Sequence, residues 1–204
     1  MGRAREVVAK VFMVAGPGVT MGDDCCVYLL DGGSALVLVD AGADPAAASI
    51  IENMEGAGYE PGRVASIVVT HGHIDHVGGL AALQEATGAA VVAHRQELPA
   101  VEQGVSQLTA DYLYGLRYRP VKVDLVLEGR QGQLAAGELV LNWVHTPGHT
   151  AGSICLYVDL DGCRVLFGQD IHGPFNRSWG SDLAQWRQSM ERLLALQADV
   201  LCEG

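Results

Sequence analysis

The feature that most constrains this chain is a change of character at residue 70. The short apolar run Ile67-Val68-Val69-Thr70 passes directly into His71-Gly72-His73-Ile74-Asp75-His76. Val64–Thr70 has the length and β-branched content of a strand buried on both faces. Three imidazoles and a carboxylate therefore emerge together at one strand end. Neutral imidazole and carboxylate suit zinc and other divalent first-row cations. Gly72 is expected to allow a tight turn that aims both flanking histidines inward, and Gly78-Gly79 to permit close packing as the next helix begins.

One loop cannot enclose a cation, so further donors should arrive at other strand ends. Thr146-Pro147-Gly148-His149-Thr150 lies between two apolar segments, and its Pro and Gly shape a turn that presents His149. Asp170 follows Val165-Leu166-Phe167-Gly168-Gln169, again at the end of a strand-like run. Alone, a carboxylate there reads more readily as a helix or turn cap.

Around these motifs the chain alternates strands and helices. Val7–Val14, Cys26–Leu30 and Ala35–Val39 read as strands, with Asp31-Gly32-Gly33 joining the last two as a hairpin. Asp44-Pro45 marks a helix start, ending near Gly56–Gly58. A helix over Gly79–Ala86 precedes a strand at Ala89–Ala93. Glu97–Tyr118 reads as helix in two pieces, interrupted near Gly104 and Gly115. The second half carries strands at Lys122–Leu127, Glu138–Val144, Ser153–Val158 and Arg164–Phe167. A helix capped by Asp182 then runs to about Gln197, and Asp199–Cys202 reads as a last strand. Two strand-rich halves, each flanked by helices, imply an α/β fold: a four-layer αββα sandwich of two mixed β-sheets, formed by residues 1–204 as one domain.

Composition narrows the partners. Acidic residues outnumber basic ones 24 to 13, a formal net charge of -11, which repels phosphate backbones and argues against nucleic acid. No apolar run approaches the ~20 residues needed to cross a bilayer, so no membrane partner is expected. Glu6 and Lys10 interrupt the apolar N-terminal stretch, unlike a secretory leader. The five cysteines, Cys25, Cys26, Cys155, Cys163 and Cys202, contain no CxxC pair and read as reduced thiols of a cytoplasmic protein. Adjacent Cys25 and Cys26 would point to opposite faces of a strand, which prevents their sharing a cation.

Three segments in this order, HxHxDH at His71–His76, TPGHTxGS at Thr146–Ser153 and the strand-terminal Asp170, resemble the metallo-β-lactamase superfamily. Val39-Asp40-Ala41-Gly42 is similar to the family's early VDxG turn, whose aspartate supports a ligand. The resemblance implies the αββα sandwich, with the site at the edge between the sheets. It implies that His71, His73 and His149 hold one cation, that Asp75 and His76 hold a second, and that Asp170 bridges them. One or two Zn2+ per chain are expected, iron and manganese being the other cations this donor set accepts. The implied activity is hydrolysis of an ester, thioester or lactone carbonyl of a small molecule by a metal-bound hydroxide, with Asp75 orienting it or accepting the proton.

The chain also departs from the family pattern. The second cation normally gains a histidine from a Gly-His after the last strand, and here Val200-Leu201-Cys202 is followed by Glu203-Gly204. The domain is thus expected to stop just before that ligand. His94 reads as structural, His145 as a neighbour of the His149 turn, and His172 as a surface-loop residue. Ser153 stands where glyoxalase II-like thioesterases have histidine, and no residues remain for their C-terminal helical domain. The lactonase tyrosine after the bridging aspartate is missing from Ile171–Phe175, and classical antibiotic-hydrolysing members lack that aspartate. Two other readings stay open: a mononuclear iron enzyme like the persulfide dioxygenases, and a non-catalytic binding or regulatory protein. Tyr112, Tyr114, Tyr118, Phe175 and Trp179 are candidate cleft walls, His172–Gly180 is the expected substrate loop, and a homodimer accords with the habit of relatives.

Overall fold

The computed structural model describes residues 4–20 and 24–204. Seven strands build the first sheet, in the order β1-β2-β3-β4-β5-β6-β7. They are β1 (Arg5–Val8), β2 (Val11–Ala15), β3 (Val27–Asp31), β4 (Leu36–Val39), β5 (Val64–Val68), β6 (Ala90–His94) and β7 (Leu125–Leu127). Pairing is antiparallel from β1 to β4 and parallel from β4 to β7. The second sheet comprises β8 (Gln131–Ala136), β9 (Leu139–His145), β10 (Ile154–Leu160), β11 (Cys163–Phe167) and β12 (Val200–Cys202). It is antiparallel except for the parallel β11–β12 pair.

The helices are α1 (Ala48–Gly56), α2 (Ile74–Val77), α3 (Leu80–Thr87), α4 (Leu98–Val101), α5 (Ser106–Thr109), α6 (Asp111–Tyr114) and α7 (Leu183–Leu194). Alternation along the strands sorts side chains into layers. Leu30, Val37, Val39, Val68 and Val92 meet Trp143, Leu156, Val165 and Phe167 between the sheets. Leu29, Leu36, Leu38, Ile67 and Val91 face the other way, against Ile50 and Met54 of α1 and Leu80 and Leu83 of α3. On the far side of the second sheet, Cys155 and Leu166 pack against Leu193 of α7. This is the four-layer αββα sandwich of two mixed sheets. Among the described residues no helix is long and apolar enough to cross a membrane.

Several elements differ from the sequence reading. The expected strand over Val7–Val14 is a hairpin, β1–β2, because Lys10 turns the chain at φ 72°. The helix expected from Asp44-Pro45 begins at Ala48, since Asp44 caps the backbone N–H of Ala46 and Ala47 adopts a left-handed φ of 50°. The segment after Glu97 is broken into α4, α5 and α6, with left-handed breaks at Gly104, Ala110 and Gly115. Leu125–Leu127, read with the second half, extends the first sheet beside β6. Strand β8 was not anticipated. Its sequence QGQLAA has no β-branched or aromatic residue, and it is held by pairing with β9 along six residues.

Cys25 packs in the outer layer of the first sheet and Cys26 against the inter-sheet core, on opposite faces as their adjacency requires. All five cysteines are unpaired.

Phe167 is the largest of the fully buried side chains, and the two sheets meet around it. Phe167→Ala should cost roughly 3–5 kcal/mol by combined transfer and cavity terms. Val140→Ala, at a side chain 51% exposed, should stay within about 0.5 kcal/mol. Urea unfolding followed by circular dichroism measures both.

Candidate metal centre

The site forms where the loop after β5 meets the turn after β9 and the chain leaving β11. Its foundation is Asp40, at the end of β4. This aspartate is 1% exposed and adopts φ 64°, a left-handed conformation that aspartate tolerates better than most residues. Its Oδ1 accepts from the backbone N–H of Thr70 at 2.7 Å. Its Oδ2 accepts from the Thr70 hydroxyl at 2.7 Å and faces His76 Nδ1 at 2.8 Å.

These contacts settle the histidine tautomers. The Thr70 hydroxyl spends its only proton on Asp40, so its 3.2 Å contact with His71 Nδ1 requires an N–H on that nitrogen. His71 Nε2 is then a bare lone pair. His76 likewise donates from Nδ1 to a carboxylate that can only accept, which directs Nε2 to the other side.

His71 Nε2, His73 Nδ1, His149 Nε2 and Asp170 Oδ2 converge. His73 Nδ1 lies 3.1 Å from His71 Nε2 and 2.8 Å from His149 Nε2. Asp170 Oδ2 is 3.4 Å from His149 Nε2 and 4.0 Å from His71 Nε2. Burial, reinforced by the neighbouring imidazoles, holds His71 well below the ordinary histidine value and His73 at about 3. Burial also lowers His149, against the pull of Asp170. Asp170 is held at about 2: burial opposes its charge, and His76, His149 and His172 outweigh that opposition. Three neutral imidazoles and a carboxylate thus face one point, and at most one proton can lie between His73 Nδ1 and its two neighbours. A divalent cation answers this confrontation, since nitrogens at 2.0–2.1 Å from a tetrahedral zinc sit roughly 3.3 Å apart.

Asp75, His76 and Asp170 form an adjoining donor group. His76 Nε2 is 3.2 Å from Asp170 Oδ1 and 3.9 Å from Asp75 Oδ2, without a hydrogen bond. Burial disfavours a charge on His76, but Cys25, Asp170, Asp40 and Asp75 together raise it well above the ordinary value. The hydroxyl of Tyr114 donates to Asp75 Oδ2 at 3.2 Å. The chain after β12 also runs here: the Tyr28 hydroxyl donates to the Glu203 carbonyl at 2.8 Å, and Gly204 N to the Gln169 carbonyl at 3.3 Å.

Glu97 was not singled out from the sequence, where it reads as an ordinary first-turn acid. It is 3% exposed and accepts from Gly72 N at 2.8 Å, Gly152 N at 2.8 Å and the Thr150 hydroxyl at 2.6 Å. It therefore ties the His71–His76 loop to the His149 turn. Burial raises its carboxyl despite those three donors. Gly72 has a role other than the expected one. Its φ is not left-handed; a Cβ there would lie 2.4 Å from Ala100 Cβ and 2.9 Å from Glu97 Oε2, so glycine is what admits the carboxylate.

Aromatic side chains roof the centre. Trp179 meets His73 edge-on at 5.0 Å and donates to the Tyr112 hydroxyl at 3.3 Å, while Phe175 lies 6.2 Å from His149. Tyr118 is buried away from the site, donating to the Val101 carbonyl. His172 is exposed and belongs to none of the donor groups. His145 donates toward the Ala151 carbonyl and stacks on His94 at 4.0 Å. Ser153 accepts from Thr150 N at 3.0 Å, bracing the His149 turn.

The family model of the metallo-beta-lactamase superfamily matches residues 21–203. A hydroxyacylglutathione hydrolase of Anaeromyxobacter dehalogenans is 36% identical over 170 residues, 82% of this chain and 55% of that protein. One from Pseudomonas aeruginosa is 33% identical over 157 residues, 76% of this chain and 52% of its own. The chain spans about half the length of these curated relatives. Among solved structures, a metallo-beta-lactamase from Cronobacter sakazakii, a HARLDQ-motif mutant, superposes with TM-score 0.84 at 26% identity, over 98% of this chain and 79% of that one. A subclass B3 metallo-beta-lactamase of Bradyrhizobium japonicum gives TM-score 0.83 at 26% identity, over 98% and 76%.

Removing the Asp40 carboxylate leaves Thr70 N–H and His76 Nδ1 without their buried acceptor. Asp40→Ala should lower stability by roughly 3–5 kcal/mol and weaken metal binding about 10–100-fold. His172→Ala should change stability by less than about 0.5 kcal/mol. Thermal unfolding and competition with a fluorescent chelator read out the two quantities.

Proposed function

Because the chain belongs to the metallo-β-lactamase superfamily, we propose that it is a metal-dependent hydrolase of a small-molecule thioester or ester. The observation that carries this reading is the convergence of His71 Nε2, His73 Nδ1, His149 Nε2 and Asp170 Oδ2, with the His71 lone pair set by Thr70 and Asp40. The proposed ligands of one cation are His71, His73, His149 and Asp170. Asp75, His76 and Asp170 are the proposed donors to a second. Zinc suits both sets best, being satisfied by imidazole and carboxylate together. A cation so held supplies Lewis acidity, which makes a water nucleophilic near neutral pH and polarises a carbonyl.

The protein's own groups account for the rest. Asp75, with 21% of its side chain exposed, reaches the edge of the cleft and can take a proton from an attacking water. Burial and the Asp75 carboxylate raise the Tyr114 phenol, so it stays protonated and gives its one proton to Asp75 Oδ2, which holds that carboxylate at the cleft edge. Trp179 and Phe175 cover His73 and His149, which excludes bulk water and leaves an apolar surface for the substrate. The net charge of -11 favours small molecules over nucleic acid as the partner.

The thioester preference rests on the hydroxyacylglutathione hydrolases among the relatives, such as those of Anaeromyxobacter dehalogenans and Pseudomonas aeruginosa. A 2-hydroxyacyl thioester of glutathione is therefore the first substrate to assay. Metal analysis of the protein purified without added metal should find zinc, and His71→Ala should lower kcat/KM by more than about 100-fold, the most that a lost supporting contact costs. A single iron per chain, with oxygen consumed on glutathione persulfide, would overturn the hydrolase reading. Failure of His71→Ala to affect any ester, thioester or lactone would point instead to a binding protein.

A further inference from the structure

Beside the turn that carries His149, α7 and the start of β8 border an open pocket of about 640 Å³. Arg130 enters it from the β8 side, where its carbonyl accepts from His145 N at 2.8 Å. Arg192 enters from α7. His145 and Pro147 line it from the β9 end, with Gln188 and Glu191 also on the α7 side.

Arg95, Arg119 and Arg164 are each satisfied by a carboxylate, from Glu128, Glu85 and Asp159. Among the described residues neither Arg130 nor Arg192 lies within ion-pair distance of a carboxylate, although Glu191 shares the pocket. Arg192 instead donates to the Gln188 carbonyl at 3.3 Å and the Ser189 hydroxyl at 3.0 Å. Both guanidinium groups also act on His145, whose imidazole is lowered first by burial and then, against the Ala151 carbonyl, by Arg192 and Arg130. Two guanidinium groups from separate segments thus border one pocket, against the single carboxylate of Glu191.

We propose that this pocket binds a small, multiply charged anion, a phosphate ester or a polycarboxylate, through Arg130 and Arg192. Guanidinium forks take either group by paired, charge-assisted hydrogen bonds. The volume exceeds what a bare inorganic anion needs and matches a metabolite-sized ligand. The site is separate from the metal centre but linked to it, since Ser189, which receives the Arg192 hydrogen bond, donates to the Pro147 carbonyl at 2.8 Å, two residues before His149.

The test is calorimetric titration of the intact protein with inorganic phosphate and, in parallel, with tricarballylate, at low and high salt. Saturable binding that weakens with salt is expected, and the tighter of the two anions identifies the ligand's source. Arg130→Gln/Arg192→Gln should weaken it by about tenfold or more, the loss of one charge-assisted contact or more. Arg130 is exposed and Arg192 half-buried, so the melting temperature of the double variant checks that the fold persists. His73→Ala, which disables the metal centre, should leave the binding in place. The proposal is overturned if neither anion binds saturably, if the folded double variant binds as wild type does, or if His73→Ala abolishes binding.

Discussion

A single buried carboxylate organises this molecule. Asp40 has almost no contact with solvent, yet three donors from the strand and loop beyond β5 end on it. An ionised group in such a place is tolerable only while every lone pair is engaged. That requirement fixes the end of β4 against the end of β5, orients Thr70, and through Thr70 decides which nitrogen of His71 carries its proton. The chemistry of the donor loop thus depends on a residue that does not itself face the proposed cation.

Glu97 applies the same constraint on the other flank. By accepting from both Gly72 and Gly152 it sets the distance between two loops that come from different sheets. The matches to lactamase structures extend over nearly the whole chain, which places the architecture firmly, whereas the sequence relatives carry a different activity name. A fold that hosts both leaves substrate choice to the walls of the cleft. Here Trp179, Phe175, Tyr112 and Tyr114 stand beside the donor groups, supplied by the two irregular segments after α4 and after β11.

What could be read from the sequence follows the range of the interactions involved. The donor loop was legible because six neighbouring residues after an apolar strand carry it, and β3, β4, β5, β6 and β10 announce themselves by their own Val, Leu and Ile content. Glu97 was not legible, because its partners lie 25, 53 and 55 residues away and nothing beside it in the chain distinguishes it from a helix-initiating acid. Strand β8 escaped for a related reason: its residues have no β preference of their own and accept the conformation that β9 imposes. The role of Gly72 was misread because a glycine can be needed for the volume it leaves rather than for the angle it permits, and sequence does not separate the two.

The division of donors between the sheets has a thermodynamic consequence. His71, His73, Asp75 and His76 follow β5 of the first sheet, whereas His149 and Asp170 follow β9 and β11 of the second. Any ion that engages both sets is a clamp across the sandwich, attached to the native state and to little else. Its binding free energy then adds to the folding free energy, growing with the logarithm of its free concentration. The cohesion of the two halves becomes a property of the surrounding metal supply as much as of the apolar layer between them.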